Sequence, residues 1–447
     1  MRIGLCVFSL CVVTCLCGCT PVVSVHPLYT EAEEEKPYLE PRLEGEWIMA
    51  AMDDTDDSDE PGRPCRVSVG RRTDGDFPYS VEFRCPGSPG REEQEQHKYD
   101  LQLVSMGGAL FFDARFVEFA EKEKQLRMSD VAGHGVAPAH LLGQVWVEQN
   151  FVRFAPLQSD WAEKNWPAGF LVRSRAAKYD TVDILTTPTP ELRDLFSRNA
   201  GSPDAFGAAS YLCRPGTDCE ARAIADQLNR TPDDPNVLAG AARFHAHRGD
   251  FARATALMRH KAELNSDHAA DQLELGRMLL LNRDFEGARR ALAQAKEPSL
   301  RPSIGELVVR SYFLQGDYAG TVQAAKSFHP PVNLMSSDPI ILSHFSLCRL
   351  GRTKEAEAYL REQTANFVGP AQEQLFLLLV SGRLTGGDFS HDQSRNSYYG
   401  ALVELKNGKP ESARLALRNL AGVRIKDNLE AFAAQVELER MPSPASK

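Results

Sequence analysis

Two periodicities divide the chain. From Leu43 to Thr187 apolar residues recur at every second position, which puts alternate side chains on opposite faces of a strand. The runs Leu43–Met49, Cys65–Arg71, Tyr79–Cys85, Tyr99–Val104, Leu110–Phe116, Leu141–Val147, Phe151–Phe154, Phe170–Val172 and Thr181–Thr186 are predicted strands separated by turn residues. Gly107-Gly108 predicts a two-residue hairpin and Gln149-Asn150 a second reversal. The acidic run Asp53–Glu60 reads as a disordered loop, and the charged stretch Glu118–Arg127 as an exposed helix. Asp160–Trp166 predicts a short helix anchored by its two tryptophans. Many short strands in sequence predict an antiparallel barrel or sandwich over residues 43–187.

From Asn236 onward the period becomes that of helices, and the sequence repeats itself. Gly249-Asp250-Phe251 precedes Ala254, Arg283-Asp284-Phe285 precedes Ala288, and Gly316-Asp317-Tyr318 precedes Thr321. Gly351-Arg352-Thr353 with Ala356, then Gly387-Asp388-Phe389, continue the series. The turn positions 251, 285, 318, 353 and 389 are spaced by 34, 33, 35 and 36 residues. Each aspartate is placed to accept the first amides of the following helix. Small residues at 242, 254, 276 and 288 let antiparallel helices approach closely. This pattern resembles the tetratricopeptide repeat, although Leu238 and Gln272 stand where that family has tryptophan. The resemblance implies a helical solenoid over residues 233–435, of about five units and a cap. Residues 188–232 then read as a helical junction and 436–447 as a disordered tail. The run Leu375–Val380 is apolar on every side and predicts a helix buried on both faces.

The amino terminus carries Arg2, an apolar stretch from Ile3 to Leu16, and then Leu16-Cys17-Gly18-Cys19. The stretch is too short to span a bilayer and reads as an export signal. Leu16–Cys19 resembles the lipobox of bacterial lipoproteins. That resemblance implies removal of residues 1–18, a diacylglyceryl group on Cys19, and a protein held to the membrane by its lipid. Thr20 in place of aspartate implies an outer-membrane address, facing the periplasm. Residues 19–42 read as a stalk, and their wording is similar to the start of uncharacterised bacterial lipoproteins that continue into a small β domain. Gly45-Glu46-Trp47 is similar to the tripeptide that opens the lipocalin fold, without that family's second motif. It implies either a cup for an apolar ligand or a small barrel packed solid around Trp47 and Trp146.

The cysteines sharpen the picture for an exported chain. A hairpin centred on Asp74-Gly75-Asp76 places residue 65 opposite 85, 67 opposite 83 and 69 opposite 81. Facing positions lie within disulfide range, so Cys65 and Cys85 are expected to pair. Cys213 and Cys219 bracket a short turn and are expected to form a local disulfide, while Cys348 reads as a core residue.

Chemistry is sparse. The net charge of −10 argues against nucleic acid as a partner. No metalloprotease, nucleophile-elbow, Walker, dinucleotide or paired-cysteine motif occurs, and no catalytic residue, metal or cofactor is expected. His134 and His140 share a glycine-containing loop, but spacing supplies no carboxylate partner. Arg243, Arg277 and Arg310 recur at matching helical positions and are candidates to read an acidic peptide. The expected function is a non-enzymatic, membrane-anchored scaffold that binds a protein or peptide; the alternative is a lipoprotein holding an apolar small molecule or lipid in the β domain.

Overall fold

The alternating strands close on themselves. In the computed structural model the described residues are 22–29, 37–50, 65–73, 75–85, 95–121, 124–127, 140–166, 170–175, 181–206, 209–327, 336–383, 393–423 and 428–442. Cys19, the acidic run at 53–60 and His134 lie outside them. Among the described residues twelve strands form one sheet: β1 (Val22–Ser24), β2 (Gly45–Met49), β3 (Arg66–Arg71), β4 (Tyr79–Cys85), β5 (Glu95–Met106), β6 (Ala109–Glu121), β7 (Lys124–Arg127), β8 (His140–Val147), β9 (Phe151–Pro156), β10 (Leu171–Arg175), β11 (Thr181–Leu185) and β12 (Ser210–Cys213). The circuit β2-β3-β4-β5-β6-β8-β9-β12 returns to β2, which makes an eight-stranded antiparallel barrel. β7 extends β6, while β1, β11 and β10 extend the sheet from β8.

Period two sorts the side chains. Phe112 points into the barrel with Trp47, Val67, Leu103, Val152 and Leu212. Its neighbour Phe111 points outward, against Phe196, Phe206 and Tyr211 beneath the covering helices. Those helices are α1 (Ser159–Asn165), α2 (Thr189–Arg198) and α3 (Cys219–Arg230). Trp47 donates its indole N–H to the Leu43 carbonyl at 2.8 Å, and the Arg214 guanidinium lies 3.8 Å from the centre of its ring. Val67 faces Phe83 and Val69 faces Val81, the register that the hairpin predicted. Cys65 and Cys85 are bonded across it with Cα atoms 4.2 Å apart, and Cys213 is bonded to Cys219. Gly107 and Gly108 take φ of 58° and 78° at the tip of the β5–β6 hairpin, a conformation that glycine adopts without a Cβ clash.

Three expectations are corrected here. Residues 118–121 and 124–127 are strand rather than helix: β6 runs to Glu121, and β7 pairs with it antiparallel from Lys124. The β5–β6 ladder, paired as far as Gln96 and Ala120, overrides local helix preference. Within the predicted junction, Ser210–Cys213 is the strand that closes the barrel between β9 and β2. Within the predicted stalk, Val22–Ser24 pairs with β8 and β11. The first compact unit accordingly extends to Arg230, and the second begins at Thr231.

The second unit contains α4 (Pro235–His247), α5 (Phe251–Leu264), α6 (Ala269–Leu281), α7 (Phe285–Gln294), α8 (Arg301–Gln315), α9 (Tyr318–Ser327), α10 (Asp338–Arg349), α11 (Thr353–Asn366), α12 (Ala371–Val380), α13 (Gln393–Lys406), α14 (Pro410–Ala421) and α15 (Leu429–Arg440). The predicted turn positions 251, 285, 318 and 353 are the first residues of α5, α7, α9 and α11. Asp250, Asp284 and Asp317 accept the amides of Arg253, Gly287 and Gly320 at 3.2, 2.8 and 2.8 Å. The residue before each cap is left-handed: Gly249 (φ 79°), Arg283 (63°), Gly316 (89°) and Gly351 (74°). The same turn recurs at Gly408 (φ 73°) between α13 and α14, where the Lys409 amide donates to the Glu404 carbonyl at 2.9 Å. The expected fifth turn at 387–389 lies outside the described residues. Ala242, Ala254 and Ala288 are fully buried, and a Cβ on Gly276 would meet Leu292 at 2.7 Å. Those contacts are why small residues recur at the crossings.

Two further expectations give way in this unit. Helix α12 buries Phe376, Leu377 and Val380, but Leu375 is 37% exposed, so one face rather than both is covered. The tail expected from residue 436 is helical to Arg440, because Val436 and Glu437 are buried among the repeats.

Candidate functional site

The three arginines singled out by their spacing do not form a set. Arg243 is exposed, and Arg277 is half-buried beside Glu274 at 3.8 Å. Arg310 is 4% exposed and belongs to a buried ion network. Matching positions along a repeat therefore do not give matching environments, since each unit meets different neighbours.

Arg310 stands on α8 and Arg395 on α13, and Asp338 at the start of α10 is paired with both. Arg310 also reaches Glu306 at 3.2 Å and Glu430 at 2.8 Å, while Arg395 reaches Glu373 at 2.8 Å. Glu373 is held in turn by the amide and hydroxyl of Ser337 at 2.8 and 2.7 Å. Burial opposes the ionisation of Asp338, but the two guanidiniums outweigh it and keep its carboxyl below the usual range. Two guanidiniums here face four carboxylates, so the network carries excess negative charge. Burial and the neighbouring Asp338 push the Glu306 carboxyl up to about 7. A carboxyl raised in the folded state keeps a proton that the unfolded chain releases near 4.5, so its contribution to stability falls as pH rises between 4.5 and about 7. Glu306→Gln should remove that penalty. The melting temperature of the variant, minus that of the wild type, is expected to climb from about pH 5 to about pH 8. A constant difference would mean that Glu306 does not hold the proton.

The second feature is α15 itself. Asn428 caps it through the Ala431 amide at 2.8 Å, and its alanines, Phe432, Val436 and Glu437 are buried. Its partners come from four successive units. Phe432 meets Phe251 of the first edge-on, with ring centres 6.4 Å apart. Glu439 is clasped by Arg283 of the second in a two-pronged pair at 2.7 and 2.6 Å. Glu430 takes Arg310 of the third, and Arg440 donates to the carbonyls of Phe313 and Leu314 there. Glu437 is paired with Arg349 of the fourth and with Arg440 at 2.9 Å. Beside the helix a cavity of about 420 Å³ opens between Arg248, Phe251 and Arg283 on one side and Ala421, Phe432 and Gln435 on the other.

Arg283 and Arg349 escaped the sequence reading, yet one of them carried a signal. Among the described residues Arg283 is the one non-glycine with positive φ, and it occupies the turn position that is glycine at 249, 316, 351 and 408. A side chain kept where the backbone favours none is a mark of use.

The barrel interior offers less. The cavity lined by Phe83, Tyr99, Phe112 and Phe154 encloses about 60 Å³. That is well below the roughly 150 Å³ of an apolar cavity that admits benzene, so the barrel interior is mostly filled by its own side chains. His140, without a partner by spacing, places Nδ1 2.6 Å from Asp113 Oδ1. Asp113 also accepts the Leu28 amide at 2.9 Å and the Gln102 side-chain amide at 3.0 Å, a clasp that joins the amino-terminal segment to β5 and β8.

No family model and no curated protein matches the chain. Among solved structures it is similar to Pseudomonas aeruginosa pilF, with 15% identity and a TM-score of 0.29 over 49% of this chain and 88% of that one. It is also similar to YrrB, described as a TPR protein with an unusual peptide-binding site, with 13% identity and a TM-score of 0.25 over 49% of this chain and 98% of that one. A third is the Naa15/Naa10 complex bound to HypK-THB, with 16% identity, a TM-score of 0.24, 49% of this chain covered and 31% of that one. These scores are too low to carry a functional argument. The described residues form an eight-stranded antiparallel barrel followed by a helical region whose turns recur near 34 residues.

Proposed function

We propose that this protein is a lipid-anchored, non-enzymatic scaffold whose helical repeats hold a protein or peptide segment. One observation carries the reading: the array already grips a helix through side chains of four successive units, with Arg283, Arg310 and Arg349 on its carboxylates. A surface that holds one helix in this manner is suited to hold another. The lipobox resemblance at Cys19 supports an extracytoplasmic address, on the outer membrane and facing the periplasm. Two acyl chains anchor stably where one binds only marginally. In this reading the barrel follows the anchor in the chain and precedes the repeats.

Cys19→Ser should move the protein from the membrane fraction to the soluble fraction and leave its melting temperature unchanged. A variant that stays in the membrane fraction would rule out the lipid anchor. For the scaffold, in-cell photocrosslinking from several positions on the repeats should recover one recurring protein. Recovery of none from any position would remove the binding reading.

A further inference from the structure

Helix α15 packs on α14 and α13 as an end cap would, but it also reaches well beyond them. In such arrays each repeat contacts only its neighbours, and a cap covers the last unit. Here the terminal helix reaches the first unit through Phe432 and the fourth through Glu437. Its 12 residues span about 18 Å. Four units stacked at the usual helix spacing of up to about 10 Å extend about 30 Å. Long side chains cover the difference: Phe251, Arg283, Phe313, Leu314 and Arg349 all stand at or beside the turns that join the two helices of their units, and α15 runs along that row of turns.

The chemistry of that contact is unlike a sealed core. Alongside Phe432 and Val436, the contact is made by Arg–Glu pairs from three units, with Glu437 itself 1% exposed. Burying ion pairs stabilises little compared with apolar packing of similar volume, but it specifies register and partner closely. Among the described residues the helix belongs to no strand pair and to none of the two-helix units, so its release breaks none of them. A segment of its length forms little helix in isolation, and most of its helicity comes from the array.

We propose that α15 is a resident occupant of the surface formed by this row of turns, exchanged for a partner helix of the same chemistry. That partner is an amphipathic helix with an aromatic anchor and carboxylates spaced as Glu430, Glu437 and Glu439 are, read by Arg310, Arg349 and Arg283. The cavity between Arg248, Phe251 and Phe432 is where it would first gain a foothold, because the contact is open there. The proposal rests on the scaffold reading and adds its partner class and its control.

The test uses the full chain and a fluorescent peptide of residues 428–442. Wild type should bind the peptide weakly, since its own helix competes. The full-length double variant Phe432→Ala/Glu439→Ala should bind it about tenfold or more tightly, because weakening a competitor raises the apparent affinity by the same factor. Adding Arg283→Ala to that variant should reduce the gain. Hydrogen exchange on wild type gives an independent reading that needs no variant: α15 amides should exchange through a local opening while α8 and α10 stay protected. Exchange of α15 only with global unfolding, or a double variant with no gain in peptide binding, would overturn the proposal. Either result would leave the scaffold reading intact if crosslinking still recovers a partner; peptide exchange without any cellular partner would reject the scaffold reading instead.

Discussion

Asp338→Ala should destabilise the repeat array by about 3–5 kcal/mol, the usual consequence of removing one partner from a buried charge network. The carboxylate is fully buried and pairs with both Arg310 of α8 and Arg395 of α13. Without it, two guanidiniums taken out of water face each other across the space it leaves, each with fewer partners. Since a whole domain is stable by only about 5–15 kcal/mol, the loss is a large share of the total. The measurement is urea unfolding of the full chain followed by far-ultraviolet circular dichroism at 222 nm, which the helices dominate. A fall in the midpoint is expected in the helical transition and not in the barrel transition. Asp338→Asn keeps the volume and one acceptor but loses the charge, and should fall between wild type and alanine. An alanine variant within about 1 kcal/mol of wild type would show that water or rearrangement reaches the arginines and that the network is not dry.

In the other unit the largest effect is expected from Asp113→Ala. Its carboxylate is buried and accepts from the Leu28 amide, the Gln102 side chain and His140. A buried donor left without an acceptor costs about 1–3 kcal/mol, and these three share one group, so a loss of about 3 kcal/mol or more is expected. The consequence is local as well as global. The Leu28 amide ties the amino-terminal segment to β6, so residues 22–29 should become susceptible to protease before the barrel melts. Tryptophan fluorescence reports the barrel, with Trp47 and Trp146 in or against it. Protection of residues 22–29 that survives the substitution would mean that the β1 pairings alone secure the segment.

How much could be read in advance differs between the two halves for a physical reason. The β4 register opposite β3, and with it the Cys65–Cys85 alignment, is a local matter of one hairpin and its alternating faces. The turn aspartates of the repeats are equally local, because a cap is built from residues three apart. Glu118–Arg127 misled because its charges match a helix face, whereas the hairpin begun at Gly107-Gly108 continued to pair through it. Ser210–Cys213 and Val22–Ser24 were missed because strands of four and three residues are too short to show a period. Arg310 was legible as a recurring arginine and illegible as a buried one, since nothing in its own repeat announces Glu430, 120 residues away.

The sequence by itself determined the local grammar: which stretches alternate, where helices begin, which cysteines face each other, and that the helical turns recur near 34 residues. Tertiary structure alone decided the closures. The barrel is completed by a strand drawn from beyond its expected end, and four repeat units are joined by side chains of helix α15. Period and capping are short-range and leave a mark in neighbouring residues, whereas closure joins distant segments through packing and ion pairs that no single segment encodes.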